Sequence, residues 1–213
     1  MILNQYIDHT LLAPTTTVDD IKRLCQEAIK YHFYAVCVNE CYVSLARNYL
    51  GESAIKVVAT IGFPLGAMAT ETKIAQAKNC ILRGASEIDM VINLGFLKSG
   101  LIEAVEKEIT NIKSDIGDHV LKVIIETSYL TDKEKRLATN VAIKAGADFI
   151  KTSTGFGTIP VTLEDILLLK QYAGNQIKIK ASGGIKDKST AEQFIQNGVH
   201  RLGTSSSIAI VTT

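Results

Sequence analysis

Three ionisable residues stand where packed strands ordinarily place apolar side chains: Lys151 in "DFIKTSTGFG" (148–157), Lys180 in "QIKIKASGG" (176–184) and Asp89 in "SEIDMVIN" (86–93). Side chains alternate across a strand, so every second residue shares a face. In "EIDMVIN" the apolar set is Ile88, Met90 and Ile92, which leaves Glu87, Asp89, Val91 and Asn93 on the other face. In "QIKIKAS" Ile177, Ile179 and Ala181 are set against Lys178 and Lys180; in "DFIKTS" Ile150 and Thr152 are set against Phe149, Lys151 and Ser153. A charge taken unpaired from water into an apolar interior costs several kcal/mol, and a buried lysine responds by giving up its proton more easily. Two lysines brought close depress each other further. One then becomes a neutral amine near neutral pH, which is a nucleophile.

The elements that must hold these residues follow from a repeating rhythm. Eight short apolar, β-branched runs recur at 6–12, 34–39, 55–62, 86–93, 120–127, 148–155, 176–184 and 200–207. Stretches of helical character lie between them, among them "TTVDDIKRLCQEAIKYH", "TKIAQAKNCILRGA", "GLIEAVEKEITNIKSDI", "TDKEKRLATNVAIKAGA" and "TLEDILLLKQYAG". Two of these open on helix-capping residues, Thr131 with Asp132 and Thr162 with Asp165 three positions on. Strands joined through helices run parallel. Eight such units with no linker predict a single-domain (β/α)8 barrel over residues 1–213, an α/β fold, with an open doubly wound sheet as the alternative. In a barrel the second face of each strand is the interior, so Asp89, Lys151 and Lys180 are aimed inward. Lys151 and Lys180 sit close to the C-terminal ends of their strands, where such barrels build active sites. Lys56, Lys122 and Lys178 sit near strand starts and are read as structural, solvated ends.

Glycine and hydroxyl clusters follow the seventh and eighth strands: "SGGI" (182–185) and "GTSSS" (203–207). Glycine lets the backbone approach an anion and serine adds donors, so Gly183, Gly184, Ser205 and Ser206 predict a phosphate seat and a phosphorylated small-molecule substrate. A net charge of +1 supplies no basic stripe, so nucleic acid is not expected as a partner. The apolar runs fall short of the roughly 20 residues that span a bilayer. "MILNQYIDHT" lacks the pattern of a signal peptide, so a soluble cytoplasmic protein with no membrane partner is expected. Cysteines 25, 37, 41 and 80 form no C-x-x-C pair and histidines 9, 32, 119 and 200 are scattered, so free thiols, no metal site and no cofactor are expected.

Taken in order, "IDHTLL", "IGFPLG", "EIDMVIN", "LKVIIET", "FIKTSTGF", "KASGGI" and "GTSS" resemble the 2-deoxyribose-5-phosphate aldolase family over nearly the whole chain. The resemblance implies a metal-free class I aldolase that splits 2-deoxy-D-ribose 5-phosphate into D-glyceraldehyde 3-phosphate and acetaldehyde. Carried over by position, it makes Lys151 the Schiff-base residue, Lys180 the group that lowers its pKa and helps move protons, and Asp89 the completion of the proton relay. Asp8 is expected either to steady the lysine pair or to be a structural carboxylate, Cys37 to be a packed thiol near the pocket, and Thr152 to help shape the site. Two positions depart from the family pattern: Ser182, where alanine is frequent, and Ser207, where many relatives have glycine. The sequence ends "SIAIVTT" without the tyrosine-bearing tail of some members, so no closing role for such a tail is expected. A homodimer or homotetramer is expected. Two other readings stay open: a phosphosugar isomerase or different class I aldolase on the same fold, and a phosphosugar-binding barrel without catalysis. An isomerase would need a Glu or His base in place of the two lysines.

Overall fold

In the computed structural model, which describes residues 2–212, eight parallel strands close into a ring. They are β1 (Ile7–Leu11), β2 (Ala35–Asn39), β3 (Lys56–Ile61), β4 (Glu87–Val91), β5 (Val120–Ile124), β6 (Phe149–Lys151), β7 (Lys178–Ser182) and β8 (Arg201–Thr204), each paired with its neighbours in sequence and β8 with β1. The closed (β/α)8 barrel expected from the strand and helix rhythm is therefore the fold. Around it, among the described residues, lie α1 (Val18–Tyr31), α2 (Val43–Leu50), α3 (Thr70–Leu82), α4 (Leu94–Lys98), α5 (Ile102–Ile116), α6 (Asp132–Lys144), α7 (Leu163–Ala173), α8 (Lys188–Gln196) and α9 (Ser207–Thr212). No helix among them is long and apolar enough to cross a membrane.

Local chemistry starts the helices. Thr131 and Glu134 form a reciprocal capping box at α6, and Thr162 and Asp165 form one at α7. Each satisfies backbone N–H groups that the first turn leaves without partners. The helices press onto the outward strand residues, where Ile88, Met90, Ile150, Ile177, Ile179 and Ala181 join one apolar core.

Several strands end earlier than the apolar runs suggest. β6 stops at Lys151, and β7 stops at Ser182 because Gly183 (φ 93) and Gly184 (φ 80) turn into the left-handed region. A Cβ at Gly184 would sit 2.5 Å from Pro160 Cβ, so the turn needs glycine for space as well as for φ. These early endings put Lys151 and Ser182 at the C-terminal rim of the barrel, beside the loops that follow.

Candidate active site

Register places three cations side by side on the interior of consecutive strands: Lys151 pairs with Lys180, and Lys180 with Arg201. Like charges in register repel. Carboxylates from β4 and β1 answer them. Asp89 Oδ2 accepts from Lys151 Nζ at 2.7 Å and from Lys180 Nζ at 2.8 Å, while its Oδ1 accepts from Lys122 Nζ at 2.9 Å. Asp8 accepts from Lys180 through Oδ2 and from Arg201 Nη1 at 3.0 Å through Oδ1. Glu87 Oε2 lies 2.5 Å from Lys122 Nζ and 3.4 Å from Arg201 Nη1. Gly203 makes room for this layer, since a Cβ there would lie 3.1 Å from Lys180 Cε.

The cluster thus joins four cationic side chains to three carboxylates. Neutralising one cation balances it, and Lys151 is the one the surroundings favour. Burial lowers its pKa below the usual lysine value; Asp89 opposes that and Lys180 adds to it. Burial also pulls on Lys180, but the carboxylates of Asp8 and Asp89 outweigh it and raise its pKa. The same balance raises Lys122, with Asp89 and Glu87 overcoming burial. Burial would raise Asp8, yet Lys180, Arg201 and Lys122 hold it at about 2. Asp89 is held well below the usual carboxylate range, burial being overcome by Lys122, Lys151 and Lys180.

Lys151, 2% exposed, reaches a cavity of about 330 Å3, whereas Asp89 and Lys180 are fully buried behind it. Gly183, Gly184, Ser205 and Ser206 line the same cavity, together with Thr10, Thr154, Phe156 and Lys186. The structure therefore brings the three interior residues and the four glycine and serine positions to one site. Asp8 bonds to Lys180 and Arg201, with no hydrogen bond or ion pair to Lys151. Cys37 is fully buried and does not line the cavity; burial raises its thiol to about 11, so it packs as a neutral thiol. Thr152 does not line the cavity and ties β6 to β7, its Oγ1 donating to Ser182 O and accepting from Ser182 N, both at 3.0 Å.

One sequence expectation is corrected. Lys56 and Lys178 are exposed, but Lys122 is 0% exposed and ion-paired, not a solvated strand end. Glu87 and Asp89 on the adjacent strand neutralise it, which is what lets a lysine stay charged there. Sequence reasoning also passed over Arg201. Both residues obey the same period-two alternation that selected Lys180, so the signal was available. Phe156, half exposed, stands edge-on to Phe63 with ring centroids 5.5 Å apart and gives the cavity an apolar side. Lys186 adds an exposed cation at its rim.

Comparison with known proteins adds to this geometry. The family model described as DeoC/LacD family aldolase matches residues 2–205. A deoxyribose-phosphate aldolase from Finegoldia magna is 51% identical over 211 residues, covering 99% of this chain and 99% of that protein. One from Coprothermobacter proteolyticus is 48% identical over 211 residues, covering 99% and 96%. Among solved structures, the aldolase QR15 superposes with a TM-score of 0.95 at 42% identity, covering 98% of this chain and 94% of that one. A deoxyribose phosphate aldolase from Aeropyrum pernix, described as tetrameric, gives 0.87 at 33% identity, covering 98% and 89%.

Proposed function

The chain belongs to the DeoC/LacD family of aldolases, which are carbon–carbon lyases, and from that premise we propose that it reversibly cleaves 2-deoxy-D-ribose 5-phosphate to D-glyceraldehyde 3-phosphate and acetaldehyde through a Schiff base on Lys151. One observation carries the reading: an amine with lowered proton affinity on the cavity wall, hydrogen-bonded to a carboxylate it shares with a second, more basic lysine.

The uncharged amine of Lys151 attacks the C1 aldehyde. Loss of water from the carbinolamine leaves an iminium, whose positive charge draws in the electron pair released as the C2–C3 bond breaks. The C3 hydroxyl gives up its proton in that step, and the enamine regains one at C2 before water frees acetaldehyde. Lys180 is held protonated and Asp89 ionised, so the pair supplies one donor and one acceptor for this traffic, relayed to the cavity through water. Gly183, Gly184, Ser205 and Ser206 hold the 5-phosphate, with Lys186 near enough to neutralise it, and this fixes where C1 meets the amine. No step calls on a metal or cofactor. In the cell we place the reaction in the cytoplasmic breakdown of deoxyribose phosphates, in a single-domain enzyme that assembles as a homodimer or homotetramer. The tetrameric relative supports the latter.

Borohydride reduction in the presence of 2-deoxyribose 5-phosphate, followed by peptide mapping, tests the mechanism. The expected adduct sits on Lys151 and is lost in Lys151→Ala. Wild-type protein that forms no adduct and shows no EDTA-resistant cleavage would sink the proposal.

A further inference from the structure

Ser205 and Ser206 line two cavities. One is the cavity that Lys151 reaches; the other, of about 390 Å3, lies on the helix side of the loop and is lined also by His9 and Glu27. A loop with open space on both sides keeps its position only through its few tethers. Ser207, the next residue, is fully buried, and its Oγ lies 2.9 Å from His9 Nδ1. His9 is 4% exposed, stands in register with Thr204 across the β1–β8 closure, and places Nε2 2.9 Å from Glu27 Oε2 on α1.

The protons can be assigned. A carboxylate only accepts, so Nε2 carries hydrogen toward Glu27. In the neutral ring Nδ1 then accepts from the Ser207 hydroxyl. In the charged ring Nδ1–H donates to Oγ, and the hydroxyl turns to Thr204 O, 3.1 Å away. Both ring nitrogens and the Ser207 hydroxyl keep a partner in either state. The chain of contacts continues into the rim: Thr204 Oγ1 accepts from Ser206 N at 2.9 Å and donates to Ile185 O at 2.7 Å. The backbone N–H of Ser206 is thereby committed, and its hydroxyl is what remains for a ligand. Glycine at 207 would offer no such anchor.

We propose that His9 is a positioning residue which, clamped between Glu27 and Ser207, holds the β8 loop so that Ser205 and Ser206 present their donors to the substrate phosphate. The proposal rests on the reading that these serines hold the phosphate. It involves no contact between His9 and substrate.

Steady-state kinetics on 2-deoxyribose 5-phosphate and on unphosphorylated 2-deoxyribose test it, with melting temperature measured alongside. Ser207→Ala should raise KM for the phosphorylated sugar about 3- to 10-fold, as expected for one lost hydrogen bond, with kcat within about twofold. Its kcat/KM for the unphosphorylated sugar should equal the wild-type value. His9→Asn keeps an amide where Nδ1 faced Ser207 but gives up the Glu27 contact, and should raise KM less than Ser207→Ala does. His9→Gln reaches toward Glu27 instead and should behave as Ser207→Ala does. Equal losses on both sugars, no loss in Ser207→Ala, or His9→Asn and His9→Gln behaving alike would overturn the clamp. If Ser207→Ala fails to fold, the two His9 variants decide. A wild-type enzyme with no preference for the phosphorylated sugar would instead remove the phosphate seat on which the clamp depends.

Discussion

Lys151 and Lys180 donate to one oxygen of Asp89, yet the barrel treats them differently. Among the described residues, Lys180 has a second carboxylate, Asp8, and Lys151 does not. Burial therefore prevails at Lys151 and is outweighed at Lys180. In the proposed mechanism the reacting form is the free amine, so kcat/KM should rise with pH through the lowered Lys151 value, giving an acid limb below the ordinary lysine value of 10.5. A limb at the ordinary lysine value would contradict this. The sign for stability is also fixed: an unfolded chain binds the Lys151 proton more readily than the folded one. Lys151 thus reduces stability at neutral pH, a reduction relieved as pH climbs from its folded value toward its unfolded one. Lys151→Met is expected to melt no lower than wild type while losing all cleavage. Asp89→Asn should behave oppositely: with Lys122, Lys151 and Lys180 all deprived of their shared anion, the loss in denaturant titrations should be about 3–5 kcal/mol.

At the scale of elements, the turn after β7 and the start of α7 make a useful contrast. Both lie on the C-terminal side of the barrel, but the turn lines the cavity and the Thr162 cap does not. Gly184→Ala adds a Cβ against Pro160 at a φ of +80°, so the turn must shift. Its KM for the phosphorylated sugar should rise several-fold while borohydride still traps the adduct on Lys151. Thr162→Ala removes one side of a capping box and should lower stability by about 1 kcal/mol, with KM unchanged. If the cap variant altered KM as much as the glycine variant, the phosphate seat would not be local to the β7 turn.

Across the whole molecule, the interior ion network couples the two halves of the chain and makes the barrel acid-sensitive. Asp8 is held at about 2 against an ordinary 3.8, so its contribution to stability is complete above the ordinary value and fades as pH falls from there toward 2. Asp89, also held well below the usual carboxylate range, acts in the same direction. Circular dichroism should therefore show cooperative unfolding as pH drops from about 4 to about 2, and a barrel unchanged at pH 2 would refute this account. Much of the architecture could be read before any coordinates. Alternation along "EIDMVIN", "DFIKTS" and "QIKIKAS" is a local property with a period of two residues, so it settled which side chains face inward. The βα rhythm, equally local, was enough to foresee eight parallel strands. What local pattern could not supply is which residues distant in the chain meet. Asp8 meets Lys180 over 172 positions of sequence, Asp89 meets Lys151 over 62, and His9 meets Ser207 over 198. That is why Lys122 read as a solvated strand end and Arg201 went unnoticed. Period and composition determine a residue's face. Only closure of the ring decides its partners, and with them which of four buried cations holds its proton least tightly.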